Sequence, residues 1–496
     1  MYMSDDVKQT SNFNQALWLS IGMLCTYAMT FISAAVLSRY FDKYEYGTYK
    51  QIIHIYNTLI TLFSAGLPSV FAYFIPRLNV GQQKELIVKL NRIFLLLGLA
   101  FSVTLYALSN PLSILLKNKE LAVGLKIFSI FPLFTLPTMG VEGIYTAIRK
   151  TRKIAIYNLI TKTVMLISTI IPVVVFKTGY VGAIIGWGIA SFISFVIAMY
   201  LKSRPYVKVK QELVPNMYKA IFSYSLPLMG AFIAGFVISS ANQFFISRYY
   251  GTEVFADFSN GCIGIPFVTM IAASVSNVLL PVFSKADSVG TMDNSIKSYH
   301  NAVTKTALLI IPVVVFCFFF AKEIMVFLYG GLYESSTKYF RAFILRNIVC
   351  VLPYLSILLA LGKSKTYMYI HWVGAAFIWI TYTIIVILKI DSVWLVITNS
   401  ILEIFIPLYA MLYIKRKANL QLIPKSLLKS VILILILSLI CGFVVYYSCS
   451  FLISNIIPLW RICIGGVSFC VLLFFIGKLF KINYLDLFFS FLKKQI

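Results

Sequence analysis

Apolar stretches of about 20 residues, each long enough to cross the hydrocarbon core of a bilayer as a helix, recur along the whole chain. They fall at residues 15–36, 52–76, 93–116, 125–148, 154–176, 180–201, 219–247, 255–283, 303–328, 338–361, 367–388, 392–413, 428–452 and 459–480. Hydrophobic residues make up 60% of the 496 positions and charged residues 12%. With a mean hydropathy of +0.88, no soluble fold is compatible with this pattern. A closed β-barrel is the other structure that satisfies every backbone group in lipid. Its strands would alternate over about ten residues, whereas these runs are continuous. The expectation is an all-α integral membrane protein with about 14 transmembrane helices.

A formal charge of +26 invites a nucleic-acid reading, so its placement matters. With the N-terminus inside, the inner loops hold about twice as many lysines and arginines as the outer ones, the asymmetry that orients polytopic proteins. The richest are Arg149-Lys150-Thr151-Arg152-Lys153, the segment 202–219 and Lys415-Arg416-Lys417. Both termini are therefore expected in the cytoplasm, with basic loops against anionic headgroups. The lipid bilayer is the partner this charge implies, and no nucleic acid is expected. The first residues carry Asp5 and Asp6 and no cleavage site, so no signal peptide is expected. The eight cysteines are scattered through apolar runs without a CxxC pair and read as small core residues. His54, His300 and His371 are far apart, no phosphate-cradling loop is present, and no metal or cofactor is expected. The loops are too short for a catalytic module. The chain reads as a transporter and not an enzyme, driven by an H+ or Na+ gradient, by the substrate's own disequilibrium, or by a partner.

An internal repeat organises the spans. Ser38-Arg39-Tyr40-Phe41 closes the first stretch and Ser247-Arg248-Tyr249-Tyr250 the seventh; at the same offset Tyr46-Gly47-Thr48-Tyr49 falls on Phe255-Ala256-Asp257-Phe258. Lys150-Thr151-Arg152 and Lys363-Ser364-Lys365 match at nearly that offset. The repeat implies a six-helix bundle at 15–201 and another at 219–413, joined by a cytoplasmic linker at 202–218. An even number of spans per half relates the bundles by a pseudo-two-fold axis along the membrane normal. Segment 1–14 is then a cytoplasmic N-terminus, 414–427 a cytoplasmic loop and 481–496 a cytoplasmic tail. Residues 428–480 form an accessory helix pair, apolar all round at Val431–Leu437 and so facing lipid on most sides.

Polar side chains inside spans are costly unless they face a cavity or each other. Asn158, Lys162, Met165 and Thr169 share one helical face by spacing. Thr135, Thr138, Glu142 and Tyr145 do the same, as do Asn57, Thr61 and Ser64, and Ser239, Gln243 and Ser247. Arg346 lies inside the tenth stretch; Glu403 lies in the twelfth, one turn after Asn399. Arg39 and Arg248 end their spans, where an arginine contacts either substrate or lipid phosphate. The candidate cavity residues for substrate are Arg39, Lys162, Arg248, Arg346, Asn57 and Gln243. Glu142, Glu403 and Asp257 are candidates for a coupling cation, with charge neutralisation as the simpler role; Arg346 and Glu403 are alternatively a structural pair. Pro68, Pro227, Pro266 and Pro353 are candidate hinges.

The segments "LSRYFDKYEYGTYKQ" and "SAGLPSVFAYFIPRL" resemble Wzx-type polysaccharide flippases of the multidrug/oligosaccharidyl-lipid/polysaccharide exporter superfamily. The matching positions are Arg39, Tyr40, Glu45, Tyr46, Gly47, Tyr49, Gly66, Leu67, Pro68, Ile75 and Pro76, and "AIRKTRK" is similar to the family's basic loop after span 4. The resemblance implies transfer of an undecaprenyl-pyrophosphate-linked oligosaccharide from the cytoplasmic to the periplasmic leaflet of a bacterial inner membrane. The product would feed O-antigen, capsule or exopolysaccharide synthesis, with polymerase machinery of that pathway as a further partner. It also implies alternating access through a polar, partly cationic cavity. A lipid II-type flippase, a MATE-type cation-coupled drug exporter and a non-transporting scaffold or polymerase are the alternatives. The few deep arginines, the absence of an acid in 15–36 and the short outer loops count against them in turn.

Overall fold

A computed structural model describes residues 12–64, 66–148, 150–289, 292–361, 363–418, 420–453, 456–480 and 482. Residues 1–11 of the expected N-terminal segment, residue 481 and positions 483–496 of the expected tail, and Arg149 lie outside them. Among the described residues the secondary structure is helical, without strands. The chain divides into two compact units, Met1–Ala256 and Asp257–Ile496.

The first unit contains α1 (Asn12–Tyr40), α2 (Lys43–Ser64), α3 (Pro68–Phe74), α4 (Val80–Leu115), α5 (Glu120–Phe128), α6 (Pro132–Thr138), α7 (Val141–Ala147), α8 (Thr151–Val174), α9 (Gly179–Ser203) and α10 (Met217–Tyr249). A short α11 (Thr252–Gly261) crosses the boundary. The second unit contains α12 (Pro266–Val289), α13 (Asp293–Phe319), α14 (Ala321–Tyr329), α15 (Ser336–Ile344), α16 (Tyr354–Ala360), α17 (Ser364–Ile387), α18 (Val393–Ala418), α19 (Lys425–Leu452) and α20 (Pro458–Leu479). Among the described residues 9 helices are long and apolar enough to cross a membrane, or up to 12 if each bent pair is one span. The remaining two of the stretches read from sequence fall on α10 and on residues 338–361.

The bent spans show how broken helices stay satisfied in lipid. Pro68 and Pro266 are the first residues of α3 and α12, where a missing N–H is no loss. They start helices after a bend of 45° and 56° respectively. Between α6 and α7 the chain turns through extended Met139 and left-handed Gly140 (φ +93°). The Phe71 ring occupies the place where a Cβ on Gly140 would lie, so glycine is required there. The expected continuous span at 338–361 is broken. It runs as α15, a 3-10 turn Leu345–Val351, extended Leu352 and then α16. Pro353 explains the break, since the residue before a proline is pushed out of the helical region.

The repeat is visible in local backbone. The Lys150 N–H bonds to the Tyr145 carbonyl and the Lys363 N–H to the Leu358 carbonyl, each at 2.8 Å. Lys177 and Lys389, which follow α8 and α17, are both left-handed at φ 52° and 54°.

The segment read as a linker is packed against its own unit. Lys84 donates to the Val209 carbonyl at 2.7 Å, Tyr206 to Gln83 at 2.9 Å and the Glu212 N–H to the Gly81 carbonyl at 3.2 Å. Lys202, expected to begin that linker, lies in the last turn of α9 and is fully buried. Its Nζ donates to Asn91 Oδ1 (3.0 Å) and the Pro137 carbonyl (2.7 Å) and lies 5.1 and 5.4 Å from the ring centroids of Phe71 and Phe94. These partners tie α3, α4 and α6 to the last turn of α9.

In the second unit the accessory pair is docked along one stripe. Leu427, Ile434, Leu437, Cys441, Val445 and Cys449 recur at helical spacing on α19 and are buried, with α13 as the main neighbour. Most other positions on α19 face outward, as its all-round apolarity implies. The Arg461 guanidinium on α20 pairs with Glu323 of α14 at 3.2 Å and donates to Ser450 at 3.1 Å.

The Glu323 side chain is only 4% exposed, so removing its partner strands a buried charge, a loss of about 3–5 kcal/mol. Arg461→Ala is expected to lower the thermal unfolding midpoint in detergent, and a Glu323→Met/Arg461→Met double variant to recover most of the loss. An unchanged midpoint for Arg461→Ala would show that the pair holds nothing. Lys202→Met keeps most of the volume but orphans its two acceptors, at about 1–3 kcal/mol each. The same measurement should show a lower midpoint; an unshifted one contradicts the clamp.

Candidate functional site

Helical spacing on α2 and α8 builds one side of a cavity in the first unit. Lys50 and Asn57 lie seven positions apart on α2, as Lys162 and Thr169 do on α8, so each pair shares a face. With Thr30 and Ser33 of α1 and Trp187 of α9, these residues line a cavity of about 230 Å³. The Thr30 and Thr169 hydroxyls donate to the carbonyls of Thr26 (2.8 Å) and Met165 (2.7 Å) one turn back. That arrangement satisfies a polar side chain in an apolar helix without a partner from another element.

A second cavity of about 310 Å³ adjoins the first and shares Lys162, Met165 and Trp187 with it. Its wall combines apolar Met165, Trp187 and Ala190 with polar side chains: Thr135 and Thr138 of α6, Glu142 of α7, Tyr157, Asn158, Thr161 and Lys162 of α8, and Ser191 and Ser194 of α9. Asn158 Nδ2 donates to Glu142 Oε1 at 2.9 Å. Trp187 reaches both cavities because α9 lies tightly on α8: a Cβ on the preceding Gly186 would strike the Ser168 carbonyl.

Lys162 lies near the middle of the 24-residue α8. Among the described residues no carboxylate forms an ion pair with Lys162 or Lys50; Lys50 sits over the Tyr46 ring, 5.1 Å from its centroid. Both lysines line the same cavity. Sequence reading missed Lys50 because it precedes the apolar stretch 52–76. The signal was its seven-residue spacing from Asn57.

Beside this cavity, a buried polar network ties α2 to α10. Tyr44 donates to Asn118 Oδ1 (2.9 Å), and Asn118 Nδ2 donates to Thr48 (2.9 Å) and Gln51 (2.6 Å). Gln51 Nε2 in turn donates to the Ser247 hydroxyl at 2.6 Å. This network joins α10 to α2 within the first compact unit.

The remaining candidates are dispersed. Asn57, Lys162 and Glu142 line the two cavities; Arg39, Arg248 and Gln243 do not. Arg39 is exposed at the end of α1, and Arg248 lies 5.8 Å from the Tyr249 ring centroid. Tyr145, expected on the Glu142 face, is buried and donates to the Leu201 carbonyl at 3.0 Å. In the second unit Asp257 is buried, with the Ser336 hydroxyl 3.5 Å from its Oδ1. Arg346 stacks on Phe343, 3.8 Å from its ring centroid, within the 3-10 turn of the broken span. It forms no ion pair with Glu403 among the described residues, although both lie within electrostatic reach of Cys350. Of the candidate hinges, Pro68, Pro266 and Pro353 sit at helix breaks; Pro227 falls within α10, and its side chain lies outside the described residues.

The family described as polysaccharide biosynthesis protein matches residues 13–287. A succinoglycan biosynthesis transport protein, ExoT, from Rhizobium meliloti (strain 1021), is 26% identical over 281 residues, covering 54% of this chain and 53% of that protein. The chain thus spans about half the length of the curated relative it matches. Among solved structures, the lipid II flippase MurJ in an inward closed conformation matches 93% of this chain and 99% of its own, with a TM-score of 0.72 and 19% identity. An inward-facing multidrug resistance MATE family transporter of the MOP superfamily matches 82% of this chain and 99% of its own, at TM-score 0.64 and 12% identity. These structures share the fold, and the resemblance carried by residues 38–78 lies inside the family match. The chain is a multi-pass membrane protein that belongs to the polysaccharide biosynthesis protein family.

Proposed function

We propose that this chain is a flippase that carries a polyprenyl-diphosphate-linked oligosaccharide across a bacterial cytoplasmic membrane, from the inner to the outer leaflet, for surface polysaccharide assembly. The observation that supports it most is the pair Lys50 and Lys162 lining one cavity without an ion-pair partner among the described residues. A lysine at the bilayer centre costs about 2.5–3.5 kcal/mol on insertion scales. Lys162 lies near the middle of α8 and Lys50 two turns into α2, and keeping both beside one cavity makes sense if an anion visits it. A diphosphate matches two point charges, and the hydroxyls and amides around it match a glycan. The polyprenyl chain needs no site of that kind, because hydrocarbon is its solvent. Its family and the named roles of ExoT and MurJ fit the same reading.

In this reading both termini are cytoplasmic and an H+ or Na+ gradient drives the return of the empty carrier. Glu142 is the carboxylate on the cavity wall available for such coupling. Asp257 and Glu403, the other two candidates, belong to the second unit.

The test is transfer of a fluorescent polyprenyl diphosphate glycan between leaflets of proteoliposomes. Removing one charge-assisted hydrogen bond to the diphosphate should slow transfer by about 10- to 100-fold, the equivalent of about 1.5–3 kcal/mol. Lys162→Ala and Lys50→Ala are expected to show this drop while inserting normally, and Lys162→Arg to retain more activity than Lys162→Ala. Wild-type transfer by a Lys50→Ala/Lys162→Ala double variant would refute the cationic-cavity mechanism.

A further inference from the structure

Two stretches of the first unit, the turn before α8 and the end of α9, are tied together by one side chain. The Tyr145 carbonyl accepts the Lys150 N–H at 2.8 Å, and the Tyr145 hydroxyl donates to the Leu201 carbonyl at 3.0 Å. Tyr145 itself is buried. Lys153 is half-buried and places its Nζ 5.7 Å from the centroid of the same ring. Arg204, exposed in the 3-10 turn that follows α9, lies 5.7 Å from the Tyr200 ring centroid. Lys150 and Arg204 are both within electrostatic reach of Lys153.

Three cations gathered from two separate segments repel one another unless an anion joins them. Among the described residues no carboxylate forms an ion pair with any of the three. Arg152, in the same basic run, is turned elsewhere and lies 5.4 Å from the Trp18 ring. The matching place in the second half lacks the tie. There the Lys363 N–H bonds to the Leu358 carbonyl, and leucine has no hydroxyl to reach a second segment. The general excess of basic residues in inner loops does not require that difference. Position gives the group its use: Glu142, on the wall of the second cavity, precedes Tyr145 by one turn of α7, about 5 Å along the helix axis.

We propose that Lys150, Lys153 and Arg204 form a phosphate-capture site on the cytoplasmic face, which takes the diphosphate of the lipid-linked substrate from the inner leaflet before it enters the cavities. A guanidinium fork and two ammonium groups suit a diphosphate. This rests on the flippase reading above and adds a docking step ahead of Lys50 and Lys162.

The experiment follows transfer of the fluorescent polyprenyl diphosphate glycan in phosphatidylcholine proteoliposomes as its mole fraction is raised. Lys150→Gln/Lys153→Gln/Arg204→Gln is expected to raise the half-saturating mole fraction at least about tenfold. The rate at saturation should fall by less than about twofold, the pattern of a lost binding step. Tyr145→Phe keeps every charge and loses only the tie to Leu201; it is expected to raise the half-saturating mole fraction at least about threefold. An unchanged value in the triple variant, or a rise that appears only when phosphatidylglycerol is added, would overturn the capture site and leave the cluster as a contact for bulk lipid headgroups. A value unmoved in Tyr145→Phe would overturn it too, since charge alone would then account for the triple variant. In each of these cases normal transfer by the wild-type chain leaves the flippase reading intact. Absence of wild-type transfer would overturn both.

Discussion

An ammonium group inside a bilayer must find water, an anion or a ring face, and the first unit provides for three lysines in two different ways. Lys202 is fully enclosed, with two oxygen acceptors and two phenylalanine rings around it. Its charge is locked into the scaffold. Lys50 and Lys162 have no ion-pair partner among the described residues and face a cavity instead. The hydration of those two charges requires the gap between α1, α2 and α8 to remain open, because collapsing it would desolvate both. The packing around the gap is built accordingly: α1 lies along α8, and α8 along α9, with the polar faces turned inward.

The broken spans serve the same end. Lipid provides no partner for a backbone N–H or C=O, so a helix can stop only where protein or a cavity covers the ends. The α6–α7 break is covered by Phe71, and Lys202 takes up the Pro137 carbonyl that the break exposes. This turn brings Thr135, Thr138 and Glu142 onto one cavity wall from two short helices. In the second unit the break at Leu345–Pro353 carries Arg346 and the buried Asn347, whose Nδ2 has no hydrogen-bond partner among the described residues. Helices interrupted at membrane depth are where membrane transporters hold their cargo and ions.

Much of the first unit was legible from spacing alone. The seven-residue interval that joins Lys162 to Thr169 survives any change of tertiary detail, because it is a property of the α-helix, and Asn57 and Glu142 followed by the same logic. What spacing cannot carry is direction at a break. Tyr145 shared a nominal face with Glu142, but the end of α7 turns it into the core toward Leu201. Lys50 was hidden by a different effect. Hydropathy places a span's edge at its first charge, whereas α2 begins at Lys43, so a cation near the apparent edge was taken for a loop residue. Lys202 was misplaced for the same reason at the other end of α9. The break at Leu352 was written in the sequence as Pro353, but apolar continuity across 338–361 outweighed it. The packing of the 204–216 segment against α4 depends on side-chain pairs distant in sequence and had no local signature.

The central claim is that this chain moves a lipid-linked glycan between leaflets. It is tested most directly in bacterial cells lacking the chain, by asking whether the labelled lipid-linked oligosaccharide is accessible to a periplasmic glycan-modifying enzyme. The account predicts accumulation on the cytoplasmic side, reversed when the gene is restored. Normal appearance of the intermediate in the outer leaflet, in cells with no redundant transporter, would contradict it.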